Sequence, residues 1–273
     1  EEIGRLPMPL VWTLHDQWPI AGARHYPSPG ESGWSIARQS SEFGEASVLP
    51  PTLRRVDAWV TERKRTHWPR NVSWVAPSEW MKGRVQESPF ADNGPVTVIP
   101  NPIDSDMWFP VPKREAQEAL GLPDGVRRIL FGAMQANQDP RKGLDLLIEA
   151  IGWLAQQSRS PPLELVRFGT DREGMTLCNG LPTRDIGTVR NDARLRFLYS
   201  ACDLLVVPSR IDNFPSVALE AQSCELPVVA FRVGGLADMV EHRVNGYLAE
   251  PEDPRDLALG IDWCLGLDAH TRQ

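Results

Sequence analysis

The sequence predicts an α/β chain whose larger part is a doubly wound parallel sheet, and three observations predict it. From Arg128 onward, short apolar runs alternate with segments whose apolar residues recur at helical spacing. Several of those runs break at a glycine or proline, as strands do where they leave a sheet. One stretch, Val206 to Ala221, passes from an apolar run through a polar loop into a helix of small residues. Alternation of this kind is satisfied by parallel strands with right-handed crossovers, and it puts ligands beyond the carboxyl ends of the strands.

The first hundred residues are organised differently. Pro9 to His15 reads as a strand, Pro51 to about Lys64 as a helix and Val72 to Ala76 as a strand. Ser78 is a helix cap with Glu79 close behind it, opening a helix to about Glu87. Pro95 to Ile99 is a third strand. Three strands are few for a doubly wound domain of roughly 100–150 residues.

The second part is more regular. Arg128 to Gly132 is a short buried strand, and Leu144 to Gln156 a helix with Leu144, Leu147, Ile148, Ile151 and Leu154 on one face. Leu163 to Phe168 is the next strand and Ala193 to Ala201 the next helix. Then follow strand Leu204 to Val207, helix Pro215 to Cys224, strand Pro227 to Phe231, and a helix entered through Gly234-Gly235 and ending at Val240. Asp212, Gly234 and the loop after Gly132 are therefore expected at one sheet edge.

The stretch from Val206 to Ala221 carries the chemistry. Asp212 and Glu220 are separated by seven residues across the start of the helix. Asn213 suits the N-cap, and Pro215 the first turn, where a missing N–H costs nothing. The unpaired N–H groups of that turn, with the helix dipole, favour an anion. Glu220 stands among small and apolar neighbours and needs a partner if the helix is buried. The plainer alternative makes Glu220 a solvated helix residue and Asp212 a second cap.

Six segments in order carry a family likeness: Trp12-Thr13-Leu14-His15-Asp16-Gln17-Trp18-Pro19, Val75 to Trp80, Val98 to Asp104, Pro140-Arg141-Lys142-Gly143-Leu144-Asp145-Leu146-Leu147, Tyr199-Ser200-Ala201-Cys202-Asp203 leading into the acidic stretch, and Asn245-Gly246-Tyr247-Leu248. The chain resembles the retaining glycosyltransferases of family 4 (group 1), of the polysaccharide-biosynthesis type. The resemblance implies the GT-B fold, two Rossmann-like domains facing across a cleft, with an incomplete N-terminal domain. Residues 1–110 would be the partial acceptor-side domain and residues 111–273 the nucleotide-sugar-binding domain. It also implies a chain shortened at both ends.

Roles follow from the same resemblance. Glu220 would accept from the donor ribose, Asp212 would face the donor sugar, and Asn213, Phe214, Pro215 and Ser216 would hold sugar and phosphate through the turn. Arg141 and Lys142 would lie on the diphosphate, at a helix start whose dipole disfavours cations by about 0.3–1 kcal/mol. A solvated basic turn after Asp139-Pro140 is the alternative. His15 would touch the transferred sugar, the alternative being a packed or surface histidine; Asp16 would cap the following loop. The resemblance implies retention by front-face attack, with the leaving phosphate helping to deprotonate the acceptor. It implies no metal and no cofactor: the donor is a nucleotide-diphosphate sugar, and the acceptor a saccharide or lipid-linked hydroxyl. Relatives that read Thr-Gly-x-Cys-His-Tyr differ from Ala21-Gly22-Ala23-Arg24-His25-Tyr26, so the acceptor side departs most from the family.

Composition narrows the classes. A formal charge of −7 excludes the broad basic footprint of a nucleic-acid binder. No run of 18 apolar residues is present, and Glu1-Glu2-Ile3-Gly4 does not read as a signal peptide. Cys178, Cys202, Cys224 and Cys264 lie far apart, which reads as reduced core thiols and a cytoplasmic location. Arg54, Arg55, Arg63, Lys64, Arg65 and Arg70 around Trp59 and Trp68 leave open a peripheral contact with the inner face of a membrane. Two rivals to transfer share the expected donor site: a GT-B sugar-nucleotide epimerase, and a non-catalytic nucleotide-binding fragment. A dinucleotide-dependent dehydrogenase is disfavoured, because Val233-Gly234-Gly235-Leu236 is too short for the glycine fingerprint.

Overall fold

The computed structural model describes residues 3, 6, 8–26, 51–132, 139–156, 161–170 and 173–267. The loop expected after Gly132 lies outside them. The chain forms two compact units, the first comprising Glu1–Asn101 with Ile211–Phe214 and Val233–Asp238, the second the remainder.

The first unit contains a parallel sheet of β1 (Leu10–Thr13), β2 (Val72–Ala76) and β3 (Val96–Val98), in that order. Helix α1 (Pro51–His67) precedes β2, and α2 (Glu79–Gln86) joins β2 to β3. Ser78 caps α2, its hydroxyl accepting from the Met81 N–H at 3.0 Å. Alternate residues of β2, Val72, Trp74 and Ala76, are buried against Met81 and Val85 of α2, as the two-residue strand period requires. Trp12 and Trp68 pack 5.2 Å apart at the margin of this core. Helix α1 runs past Lys64 to His67, and Lys64 itself is buried. Its ammonium donates to the carbonyls of Trp18, Ala21 (2.9 Å) and Gly22 (2.7 Å), and lies 4.0 Å from the Trp18 ring centroid. Burial pushes the Lys64 pKa down to about 8, against the pull of Asp57 and Asp16.

The second unit begins with α3 (Lys113–Ala119) and is built on seven strands: β4 (Arg127–Gly132), β5 (Leu163–Phe168), β6 (Glu173–Cys178), β7 (Leu181–Ile186), β8 (Leu204–Val207), β9 (Val228–Phe231) and β10 (Gly246–Ala249). Their order is β10-β9-β8-β4-β5-β7-β6. Helices α4 (Leu144–Ala155), α5 (Asp192–Ala201), α6 (Ser216–Ser223) and α8 (Pro254–Gly266) intervene; the short α7 (Leu236–Met239), between β9 and β10 in sequence, counts with the first unit up to Asp238. Every residue of β8 and β9 is buried, which explains their unbroken Leu-Leu-Val-Val and Val-Val-Ala-Phe runs: strands covered on both faces have no polar side to alternate with.

Strict strand–helix alternation does not hold. β6 and β7 form an antiparallel hairpin at the sheet edge, with Cys178 paired to Leu181. The turn is Asn179-Gly180, both with positive φ (47° and 86°), which matches the right-handed twist of a two-residue hairpin. β10 and α8 were also not expected; α8 is fixed by Asp253, which accepts from the Arg255 and Asp256 N–H groups.

Central strand β4 is pinned at its start by buried charge. Asp203, ahead of β8, accepts from the Arg128 N–H at 2.8 Å and from the Arg127 guanidinium at 2.6 Å. The Arg128 side chain, wholly buried, donates to Glu164 of β5 at 2.9 Å, and Arg184 of β7 donates to the other Glu164 oxygen at 2.9 Å. Burial would raise the Asp203 pKa, but Lys113, Arg127 and the Arg128 N–H outweigh it and hold it at about 2. That pKa lies below the unfolded value, so the stability Asp203 supplies is complete above about pH 4 and is lost as pH falls through 2.

Two stability measurements follow. Asp203→Asn removes the buried carboxylate shared by the partly exposed Lys113 and Arg127 and should cost about 1.5–3 kcal/mol in denaturant unfolding at pH 7, with a smaller difference from the parent at pH 2. Lys64→Met removes the donor to three carbonyls and should lower stability by roughly 2–4 kcal/mol, read from the fluorescence of nearby Trp18 and Trp68. Unchanged unfolding of either variant would contradict these assignments.

Candidate functional site

Glu220 lies on α6, half-buried among Ala218, Ala221 and Cys224. It has the partner that its surroundings demand: the Tyr199 hydroxyl, on α5, donates to Glu220 Oε2 at 2.8 Å. Burial raises the Glu220 pKa above the usual carboxylate value, while hydrogen bonds from Tyr199 and Ser216 pull the other way. Tyr199 is wholly buried, and its own pKa is driven far up by burial and by Glu220. Its ring meets Phe168 edge-on at 6.2 Å and lies 5.8 Å from Trp108. The sequence alone does not pair Tyr199 with Glu220.

The start of α6 differs from expectation. The helix begins at Ser216 with Pro215 in the cap position, and Asn213 does not cap it. The Asn213 amide is occupied inside the first unit. Its Nδ2 donates to the carbonyls of Leu14 (2.8 Å) and His15 (3.2 Å), and its Oδ1 accepts from the Ser78 hydroxyl at 2.9 Å. A side chain committed to three partners across the sequence cannot also turn back to the α6 amides.

Asp212 and Asn213 are buried in that unit, and Phe214 is partly exposed. Gly234 and Gly235 are needed beside them. The Gly235 N–H donates to the Asp212 carbonyl at 3.0 Å. A Cβ on Gly235 would fall 1.7 Å from the Asn213 carbonyl oxygen, and one on Gly234, whose φ is +53°, 1.9 Å from that of Asp212. The acidic loop is thereby held backbone to backbone. His15 is exposed just beyond β1. Asp16 caps the following turn by accepting from the Trp18 N–H at 2.8 Å, and its second oxygen lies 2.6 Å from His25 Nδ1. A cavity of about 470 Å³ in the same unit is lined by Gln17, Arg24, Tyr26, Asp57, Arg84 and Glu87, among others.

Arg141 and Lys142 belong to the second unit, in a 3-10 turn (Pro140–Lys142) that ends at Gly143. The cost expected for cations at a helix start is met locally: Asp139 takes the Arg141 guanidinium through two bonds, at 2.9 and 2.7 Å. Burial would raise the Asp139 pKa, but the Arg141 bonds keep it low. The dipole argument therefore does not by itself demand a bound diphosphate. Gly143 has φ +65°, and a Cβ there would lie 1.8 Å from the Pro208 carbonyl oxygen, so the turn packs directly on the exit of β8.

Arg210 locks that contact, and it was not singled out from the sequence. Its N–H donates to the Arg141 carbonyl, and its guanidinium donates to the Pro140 carbonyl, each at 2.8 Å. The same guanidinium grips Asp145 of α4 at 2.8 and 2.5 Å. Burial would raise the Asp145 pKa, but the Arg210 bonds hold it down. The structure thus joins Asp212, Asn213, Phe214 and His15 in one unit, and Arg141, Lys142, Pro215, Ser216 and Glu220 in the other.

The four cysteines are buried and form no disulfide with one another, as expected of core thiols. Among the described residues no group of three or more His, Cys, Asp or Glu could hold a metal ion, and no helix is long and apolar enough to cross a membrane.

Comparison with known proteins bears on the family and the fold. Residues 127–266 match the family model described as Glycosyl transferases group 1. The chain is 33% identical over 257 residues to a D-inositol 3-phosphate glycosyltransferase of Segniliparus rotundus, covering 84% of this chain and 55% of that protein. It is 35% identical over 187 residues to D-inositol 3-phosphate glycosyltransferase 2 of Catenulispora acidiphila, covering 63% and 42%. The chain thus spans about half the length of these relatives. Among solved structures, sucrose-phosphate synthase from Thermosynechococcus elongatus has a TM-score of 0.66 at 23% identity, covering 83% of this chain and 57% of that one. Anabaena HepE in complex with UDP has a TM-score of 0.63 at 23% identity, covering 97% and 64%. These likenesses establish the α/β, GT-B type of fold. With the family model covering residues 127–266, β4 to α8, the chain belongs to the group 1 glycosyltransferases.

Proposed function

We propose that this chain carries the donor-binding machinery of a retaining glycosyltransferase of family 4, which moves a sugar from a nucleotide-diphosphate sugar to a hydroxyl. The observation that carries the reading is Glu220: a half-buried carboxylate within the family-matched segment, held by Tyr199 at 2.8 Å. A carboxylate so fixed is an acceptor for the two hydroxyls of a ribose.

In this reading Glu220 binds the ribose, and Arg141 and Lys142 offset charge that builds on the leaving diphosphate. Asp212 takes hydroxyls of the donor sugar, His15 contacts the transferred sugar, and the turn Asn213-Phe214-Pro215-Ser216 steadies sugar and phosphate through its backbone. Departure and attack on one face give retention, the leaving phosphate accepting the acceptor's proton. UDP is the first nucleotide to test, because HepE structures hold UDP and UDP-glucose. The second unit is the nucleotide-sugar domain and the first the acceptor side. There the hydroxyls, carboxylates and guanidinium groups around the 470 Å³ cavity suit a hydroxyl-rich acceptor, a saccharide or lipid-linked saccharide of the kind used in surface polysaccharide synthesis. The reaction proceeds without metal or cofactor, on the cytoplasmic side, with peripheral membrane contact through the exposed Arg54, Arg55, Trp59 and Arg63 of α1.

Calorimetric titration with UDP, GDP and ADP tests the site. One nucleotide should bind, and Glu220→Ala should weaken it by at least about tenfold, the worth of a charge-assisted hydrogen bond. Absence of binding by the folded chain would overturn the reading. Where transfer to a saccharide acceptor is observed, excess EDTA should leave its rate within about twofold; loss restored by magnesium would overturn the metal-free mechanism.

A further inference from the structure

Glu220 is useful to a ligand only if its carboxylate faces the right way, and on α6 itself the Ser216 hydroxyl that bonds to it is exposed. A glutamate side chain has three rotatable bonds and, on a helix surface, samples several rotamers. Here a buried neighbour on α5 restricts that freedom further. The Tyr199 hydroxyl donates to Oε2 at 2.8 Å, occupying one carboxylate oxygen and defining the plane of the other. Tyr199 cannot yield: it is wholly buried, wedged between Phe168 at the end of β5 and Trp108. Trp108 belongs to a segment strapped to α5, because Arg196 donates to the Met107 carbonyl at 3.0 Å and stacks 4.0 Å from the Phe109 ring centroid. The Val111 N–H adds a bond to the Ser200 hydroxyl at 3.1 Å.

We propose that Tyr199 is a positioning residue for ribose recognition, holding Glu220 so that its remaining oxygen accepts from the ribose hydroxyls. This rests on the donor-site reading of Glu220. It goes further by assigning ribose selectivity to a residue that does not touch the ligand. The hydroxyl has a second effect of the same sign. Glu220 faces Tyr199 and Asp192 of α5, Ser216 of α6 and Cys224 just after it, with Arg196 beside Cys224. Burial and Asp192 favour the neutral acid, while Tyr199 and Ser216 favour the carboxylate that a ribose needs. Removal of the Tyr199 hydroxyl therefore both loosens Glu220 and raises its pKa.

The test compares UDP with 2′,3′-dideoxy-UDP on the parent chain, Tyr199→Phe and Glu220→Ala, with thermal melts to verify folding. The parent should prefer UDP by tenfold or more. Tyr199→Phe should bring that ratio to about threefold or less while leaving dideoxy-UDP affinity within twofold, and the acid-side loss of UDP binding should move to higher pH. A packing role alone would weaken both ligands together, and that result, or an unchanged ratio, overturns the proposal. Loss of the ratio in Glu220→Ala but not in Tyr199→Phe rejects the positioning role and keeps the donor-site reading. A parent chain that binds neither ligand, or a Glu220→Ala variant with an unchanged ratio, rejects both. Should Tyr199→Phe fail to fold, 3-fluorotyrosine at position 199 preserves the ring and acidifies the phenol. The acid-side loss must then move to lower pH, and no movement overturns the proposal.

Discussion

The hydrogen-bonded charges around Arg128 set the geometry on which the rest of the second unit depends. β4 is the middle strand of seven, and its first residues are held on both sides: by Asp203 leading into β8 and by Glu164 within β5. Asp203 returns a backbone bond as well, its N–H donating to the Arg128 carbonyl at 2.9 Å. Parallel strands carry no hairpin to fix their register, so a one-residue slip must be resisted by side chains or by pattern. In β8 every side chain is buried, and the pattern cannot report register. The buried ions supply the missing constraint. A slip would strand Arg128, Glu164 and Asp203 away from water and from one another, at several kcal/mol for each.

That anchor lies at the amino ends of the strands, and the candidate chemistry at the carboxyl ends. β8 connects them: five residues after Asp203 has set its start, the chain leaves the sheet at Pro208 and meets the Arg141 turn through Gly143 and Arg210. The basic turn is therefore positioned from β8 as well as by its own Asp139. This bears on what Arg141 can do. Its guanidinium already makes a fork with Asp139, so a bound phosphate would join an existing ion pair rather than neutralise a bare cation. The turn is preorganised, and less ordering is left to do when a ligand arrives.

Much of the fold was legible because local and tertiary preferences agree there. The strands Val72–Ala76, Leu163–Phe168 and Leu204–Val207 have the boundaries that their apolar runs imply, and Ser78 caps α2 as its sequence suggests. The antiparallel hairpin was missed although Asn179-Gly180 is a strong turn signal. The flanking Met175, Thr176 and Leu177 are exposed, so the pattern around the turn does not read as a buried strand. Asn213 was misread for another reason. Its spacing suits a cap, but the partners that won, Leu14, His15 and Ser78, are 135 to 199 residues away.

The residues that support the candidate site share that invisibility. Motif reading finds groups that would meet a ligand, because the chemistry dictates residue type and spacing along one loop. Tyr199, Arg210 and Asp203 meet only other side chains and backbone, at sequence separations of 21, 65 and 75. Nothing local marks their partners: Tyr199 and Asp203 fall in a family-like segment that assigns them no contact, and Arg210 reads as a loop cation. A tyrosine and a phenylalanine fill the helix position of Tyr199 equally well by hydrophobicity. What separates them is a single hydroxyl facing a half-buried carboxylate, where the alternative is an acid with a higher pKa and a freer side chain. The choice of tyrosine at position 199 is thus better explained by Glu220 than by the packing of α5.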